Sequence, residues 1–239
     1  MFFGQDYFRA SVHPLVAGSF VLSIFLGYEL GIYLLGAGDG LAWRTGLDAG
    51  LRLIIRQRLS PKLEWMPAGT LGLALLVYCG MHWRDRPAEF LGTWAGMIVE
   101  SILLALPLLW LAHWCGSLEF SDSVRGQIGF GSHGASIVAS LGAGVYEEVV
   151  FRGLLLWSLL VGGRCLGLRG WVKFLWAGGA SAVLFACAHH VPPFQEPYQK
   201  TVFLFRVFAG LYFAILFWFR GLGIAAGVHA CYDILASFQ

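Results

Sequence analysis

The chain has 239 residues, of which 58% are hydrophobic and only 13% charged, and its mean hydropathy is +0.69. Soluble domains carry about 25% charged residues, so this composition excludes an ordinary soluble globule. The net charge of +2 gives no reason to expect a nucleic-acid partner. Because no polar stretch is long enough for a separate core, residues 1–239 are predicted to form a single integral membrane domain of the all-α, polytopic class.

Seven apolar runs are candidate membrane spans, and six to eight is the range that the pattern allows. In chain order they are Pro14–Leu35, Met66–Met81, Phe90–Cys115, Ala135–Val161, Phe174–Val191, Thr201–Phe219 and Leu222–Phe238. The first run is too long for the apolar part of a signal peptide, so we interpret it as a retained transmembrane helix. The last run is short and follows a break at Arg220-Gly221.

An amphipathic helix is predicted in Leu41–Trp65, between the first two spans. Apolar residues recur there at helical spacing, with polar residues between them: Trp43, Leu47, Leu51, Ile54 and Ile55 against Arg44, Asp48, Arg52, Arg56 and Arg58. We expect an interfacial helix whose polar positions face anionic headgroups, with a short soluble connector helix as the alternative. The basic residues divide evenly between the two sides, so the orientation of the chain in the membrane stays open.

The five cysteines are an odd number without a Cys-x-x-Cys spacing, which does not indicate a disulfide framework. We expect them to serve as small packing residues.

The fourth span contains three charged residues within six positions, Glu147, Glu148 and Arg152. Each would cost roughly 2.5–3.5 kcal/mol at the centre of a membrane helix, so they must pair or face a polar cavity. Glu148 and Arg152 are four residues apart with the acid first, which favours an ion pair. Glu147 points about 100° away from Glu148 and is left to face a cavity.

Two later spans carry the other polar clusters. Phe185 and His189 share a helix face, followed by His190, and His229 shares a face with Asp233. The Asp233 carboxylate could fix the tautomer of the His229 imidazole or extend a hydrogen-bond network. Small neighbours let such helices approach closely, and buried polar groups need partners, so we expect the three clusters to meet.

In this order, Glu-Glu-x-x-x-Arg, Phe-x-x-x-His and His-x-x-x-Asp/Asn resemble the signature of the CAAX protease and bacteriocin-processing (CPBP, or Abi) family. This family includes the type II CAAX prenyl endopeptidases. The resemblance covers about residues 135–238, which it implies to be the catalytic core. It further implies a membrane endopeptidase that acts on a protein or lipidated peptide, either a CAAX-type tail or, in a bacterium, a C-terminal sorting tail or a leader.

The resemblance also implies a role for each residue. Glu147 and His189 would activate a water, His229 and Asp233 would stabilise the oxyanion or complete the polar network, and Glu148 and Arg152 would brace the site. Members are described both as metalloproteases and as metal-free enzymes. The metal-free mechanism is slightly favoured; alternatively, Glu147, His189 and His229 could bind Zn²⁺ and leave a position open for water.

The sequence also bears on other function classes. The chain lacks the His-Glu-x-x-His and Gly-x-Ser-x-Gly motifs of other protease types. Gly36-Ala37-Gly38-Asp39 and Tyr232-Asp233 match presenilin-like motifs, but in reversed order. A proton or ion transporter is the main non-enzyme alternative, because Glu29, Glu100 and Arg206 are further charges within spans; an immunity or chaperone factor is another. By default Glu100 and Arg206 are expected to pair with each other. We expect a multi-pass protein in contact with membrane lipid, in the inner (cell) membrane of a prokaryote; the oligomeric state is open.

Overall fold

The computed structural model describes residues 4–35, 44–116, 133–191 and 197–239, and within these ranges the chain forms helices and no strand. A π-helical segment, Val149–Leu156, joins two of the helices, and short 3-10 turns lie at Pro61–Leu63 and Trp83–Asp85. The helices are α1 (Gln5–Ser11), α2 (Pro14–Leu34), α3 (Gly46–Arg58), α4 (Met66–Met81), α5 (Phe90–Trp114), α6 (His133–Glu148), α7 (Trp157–Cys165), α8 (Gly170–Ala188) and α9 (Lys200–Ala236).

Five helical stretches in the described residues are long and apolar enough to cross a membrane: α2, Pro61–Met81, α5, α8 and α9. The chain is therefore an integral membrane protein whose described residues form a helical bundle, while the count of seven spans stays a prediction. The difference has two sources. The predicted span Ala135–Val161 carries three charges and is divided among α6, the π-helical segment and α7. The last two predicted spans both fall on α9, and the second of them ends two residues beyond it.

Helix α9 is broken at Gly221, where the backbone has φ 77° and ψ 179°. Only glycine adopts such a conformation readily, so the break is encoded at this one position. On either side of it the chain folds back on itself. The Phe213 ring lies 4.5 Å from the His229 ring, and Phe205 lies 5.8 Å from Tyr232, which requires the two halves of α9 to run antiparallel. The predicted break at Arg220-Gly221 is thus a helical hairpin.

The second half of α9 lies at the centre of the bundle, and small residues make this possible. It packs against α2, α5, α6 and the first half of α9, and Gly223 to Ala230 are all buried. A Cβ at Gly144 of α6 would lie 2.8 Å from the Ala226 backbone oxygen, so the two helices are in contact through their backbones. This is the close approach that glycine permits between membrane helices.

Helix α3 corrects one sequence prediction. Its bounds fall within the predicted amphipathic segment, but Asp48 and Arg52 face inward and are buried rather than facing headgroups. Arg44, just before the helix, is joined to Glu29 of α2 by two hydrogen bonds of 3.1 and 3.2 Å and to Asp48 by one of 2.7 Å. Asp48 and Arg52 face inward because they pair with charged residues near and on a neighbouring helix. The spacing of residues in the sequence does not reveal such pairs.

The expected pair between Glu100 and Arg206 is also wrong. The Glu100 carboxylate accepts two hydrogen bonds of 2.7 Å from Arg220 and one of 2.5 Å from the Tyr7 hydroxyl. Arg220 directly precedes the break in α9, so this cluster ties the hairpin to α5 and α1. The cysteines in the described residues are free; Cys79 is buried, whereas Cys165 and Cys187 are exposed, so a packing role stays a prediction for those two.

The contact between α6 and α9 predicts a sharp difference between two glycines. Gly144→Ala should lower the thermal stability of the purified protein, because its Cβ would meet backbone atoms; overpacking of this kind costs roughly 1–3 kcal/mol. Gly80→Ala, in α4, is the matched control because a Cβ there meets no atom within 4 Å. Equal melting temperatures for the two variants would contradict the close packing described here.

Candidate active site

The two glutamates end helix α6, and the π-helical segment begins directly after them. Tyr146, the preceding residue, contacts Phe25 near the middle of α2, so Glu147 and Glu148 lie about halfway along a candidate span. π-Helices are rare and occur frequently at functional sites. Glu148 and Arg152 remain on one side of this wider helix and within contact distance of each other.

Glu148 and Arg152 form a buried ion pair. Both side chains are completely buried, and the Arg152 guanidinium donates a hydrogen bond of 2.8 Å to the Glu148 carboxylate. A second guanidinium nitrogen donates to the Gly210 backbone oxygen at 3.1 Å. The guanidinium also lies 4.5 Å from the centre of the Phe185 ring and 5.1 Å from that of Phe213. Arg152 thus connects the π-helical segment with α8 and the first half of α9.

His229 is held by the same carboxylate and by an aromatic ring. Its Nδ1 lies 2.7 Å from Glu148 Oε1, and its ring stacks on Phe213 at a centroid distance of 4.5 Å. Because a carboxylate accepts, Nδ1 must carry the proton in this contact, and the imidazole orientation is fixed. Its Nε2 then faces Glu147, 3.9 Å away, and Asp233, 3.6 Å away.

His189 lies at the C-terminal end of α8, just after Ala188. The helix ends there, ahead of the Pro192-Pro193 pair in the sequence, which disfavours a helical conformation for the residue before it. His189 Nδ1 is 3.0 Å from the Phe185 backbone oxygen, so it donates, and Nε2 is left to accept. That Nε2 lies 3.9 Å from Glu147 Oε2.

Glu147 therefore faces two histidines at once. One of its oxygens, Oε2, is 3.9 Å from Nε2 of both His189 and His229, and it is buried without a hydrogen bond to any described residue. Polar atoms at this separation are too far apart for a direct hydrogen bond but suit a bridging water. Such a water could donate to the carboxylate and to one imidazole, which is the geometry needed to activate it.

The structure thus brings all six residues named from the sequence into one site: Glu147, Glu148, Arg152, His189, His229 and Asp233. Three further contributors were not predicted: Phe213, the Gly210 backbone oxygen, and the sharing of Glu148 between Arg152 and His229. Asp39 of the presenilin-like motif lies outside the described residues.

One comparison with known proteins found a match that covers this site. Residues 130–235 match the type II CAAX prenyl endopeptidase Rce1-like family. The matched range is somewhat less than half of the chain, and it contains all six site residues. The resemblance to a family of CAAX proteases that the three motifs indicated is confirmed over this segment. No curated protein and no solved structure matches the chain.

The Rce1-like segment contains the donor atoms of the zinc site considered above, but their spacing does not fit. In a tetrahedral zinc site with bonds of about 2.0–2.2 Å, ligand atoms lie about 3.3–3.6 Å apart. Glu147 Oε2 is 3.9 Å from both imidazole nitrogens. Within the described ranges, no group of three or more His, Cys, Asp or Glu side chains is placed to hold a metal ion. No step proposed below is therefore routed through one.

The buried ion pair predicts that Arg152 cannot be replaced by lysine. Arg152→Lys keeps the charge but cannot bond Glu148 and Gly210 together while stacking between two rings, and disrupting a buried pair costs roughly 3–5 kcal/mol. We expect a clear loss of thermal stability in detergent. Arg84→Lys, at an exposed position, is the control and should leave the melting temperature unchanged. Wild-type stability of Arg152→Lys would show that the simultaneous hydrogen bonds to Glu148 and Gly210 are dispensable.

Proposed function

We propose that this protein is an intramembrane endopeptidase in which Glu147 and His189 activate a water for attack on a peptide carbonyl. The observation that carries the proposal is the position of Glu147 Oε2, 3.9 Å from Nε2 of both histidines. The family match over residues 130–235 supports the protease class. The site lies inside the helical bundle, where few waters compete with the substrate for these groups.

In the proposed reaction, the water oxygen attacks the carbonyl carbon while the Glu147 carboxylate takes one of its protons. His189 Nε2 accepts a hydrogen bond from the other O–H of the water and so orients it. The oxyanion that forms accepts a hydrogen bond from His229 Nε2, which requires His229 to be protonated on both nitrogens in this step, because Nδ1 donates to Glu148. Glu147 then passes its proton to the departing amine as the C–N bond breaks.

The remaining residues position this chemistry. Glu148 and Arg152 hold the His229 ring and the end of α6, and Asp233 faces His229 Nε2 from one helical turn further on. Glu147, His189 and Asp233 are the partly exposed members, with 13%, 21% and 24% of their side-chain surfaces accessible, so a substrate would approach from their side. We assign the catalytic core to residues 135–238.

The proposed substrate is a protein or lipidated peptide with a membrane-anchored or C-terminal segment that can reach the middle of the bundle. A prenylated CAAX tail is one such substrate. The further proposal of a prokaryotic inner-membrane location would favour a sorting tail instead, since prenylation is not expected there.

The first test is Glu147→Gln, which removes the base but keeps the size of the side chain. We expect peptide cleavage to fall by about 100-fold or more, the range for loss of a general base. Protein termini in membranes from expressing cells, together with cleavage of a lipidated CAAX peptide, provide the measurement. Glu89→Gln, at an exposed position outside the site, is the matched control and should cleave normally.

Full cleavage by both Glu147→Gln and His189→Ala would overturn the mechanism. An ion flux that responds to these variants, in a protein that cleaves no substrate, would instead support the transporter alternative. Two other acids argue against that alternative, because Glu29 is paired with Arg44 and Arg52, and Glu100 with Arg220, in two separate clusters.

Metal removal gives a second, independent test. If Glu147 acts as the base without a metal, prolonged chelation should leave the rate of cleavage unchanged, and metal analysis of the active protein should find well under one equivalent of zinc. Loss of activity on chelation that zinc alone restores would contradict the proposed mechanism but not the protease assignment.

A further inference from the structure

The outer side of α3 and the turn that follows it form a second feature, distinct from the active site. The buried ion cluster links Arg44, Asp48 and Arg52 to Glu29 of α2 and leaves the C-terminal end of α3 outside it. At this end and in the turn after it, three large apolar residues are more than half exposed: Ile54 at 59%, Leu59 at 68% and Trp65 at 59%. Such exposure needs an apolar environment to cover it.

Basic side chains surround these apolar residues. Arg56, Arg58 and Lys62 are all exposed, and none makes a hydrogen bond or ion pair through its side chain with a described residue. Asp48 is already paired with Arg44 and Arg52, which leaves Glu64 as the nearby acid in the sequence. We call the six exposed residues at the C-terminal end of α3 and in the turn after it the outer face of α3, and all of them are apolar or positively charged: Ile54, Arg56, Arg58, Leu59, Lys62 and Trp65.

The position of this face sets the depth at which it would lie in a membrane. The candidate span Pro61–Met81 begins within it, so the face lies where that span enters the bilayer. Tryptophan is enriched at this level of membrane proteins. A basic and apolar helix parallel to the surface binds headgroups with its charges and the acyl boundary with its apolar side chains.

We propose that the outer face of α3 is a docking surface for anionic lipid headgroups. Arg56, Arg58 and Lys62 would bind the headgroup phosphates, while Ile54, Leu59 and Trp65 insert at the acyl boundary. The occupant is a lipid rather than a soluble anion or protein partner, because the charges are interspersed with exposed apolar side chains at the end of a span. The proposal does not depend on the peptidase activity.

The same face lies at the end of the bundle nearest to Asp233, the most exposed member of the candidate site. Gly31, near the end of α2, packs against Val138 near the start of α6, so α3 is on the side where α6 begins. His133 at that start stacks on Phe238, just beyond the end of α9. Asp233, the most exposed member of the site, lies one turn from that end. Lipid bound to α3 would therefore border the leaflet from which a substrate approaches.

The test uses the full-length protein in nanodiscs and the fluorescence of Trp65, obtained as the difference between the wild type and Trp65→Phe. Brominated phosphatidylglycerol and brominated phosphatidylcholine are each included at the same low fraction. We expect stronger quenching by the anionic lipid, because that lipid is enriched at the outer face of α3. Each basic residue near the surface contributes about fivefold to the local preference for anionic lipid.

Arg56→Gln/Arg58→Gln should reduce this preference by an order of magnitude or more and leave quenching by phosphatidylcholine unchanged. Arg84→Gln/Arg86→Gln removes two exposed charges elsewhere and is the matched control, which should keep the preference. Equal quenching by both lipids in the wild type would overturn the proposal, as would a preference that survives Arg56→Gln/Arg58→Gln. Absence of quenching by either lipid would show that the face lies outside the bilayer and would overturn it as well.

Discussion

A carboxylate enclosed by apolar helices must be matched by donors, and Glu148 is the group in this protein to which that constraint applies most strongly. It is fully buried and accepts hydrogen bonds from both Arg152 and His229. Arg152 in turn reaches the Gly210 backbone. Because an unmatched buried charge is far more costly than a matched one, the positions of α6, the π-helical segment and both halves of α9 depend on one another. The orientation of the candidate catalytic groups follows from this buried network.

Local spacing was sufficient to predict the pair between Glu148 and Arg152, since residues four apart meet on any helix. The same spacing predicted that the side chains of Glu147 and Glu148 point in different directions. In the structure, Glu147 faces both histidines. The stack of Phe213 on His229 could not be predicted in this way. It depends on how far the two halves of α9 overlap after the break at Gly221, which is a property of tertiary packing. The sharing of Glu148 by His229 has the same origin, and the sequence contained no signal for the π-helical segment.

The prediction for α3 was wrong for Asp48 and Arg52, and for a different reason. A pattern of polar residues on a helix indicates which residues avoid apolar surroundings. It does not show whether their hydrogen-bond and charge partners are lipid headgroups or other charged residues of the protein. Asp48 and Arg52 are matched by Glu29, Arg44 and Tyr28 inside the protein, and only the later arginines remain outside. The break at Arg220-Gly221 could be predicted because it depends on a single glycine. The partner of Glu100 could not, because it depends on which helices pack next to each other in the folded bundle.

The short sequence distance between Glu148 and Arg152 has a consequence for biosynthesis. His229 lies 81 residues after Glu148, so it is synthesised long after α6 has left the ribosome. The arginine, only four residues away, is available at once. If the predicted span Ala135–Val161 crosses the membrane, one of its two acids is already paired when the segment enters lipid, which lowers the cost of the transfer. Glu147 has no basic partner so near in the sequence, because the histidines that face it, His189 and His229, are synthesised later.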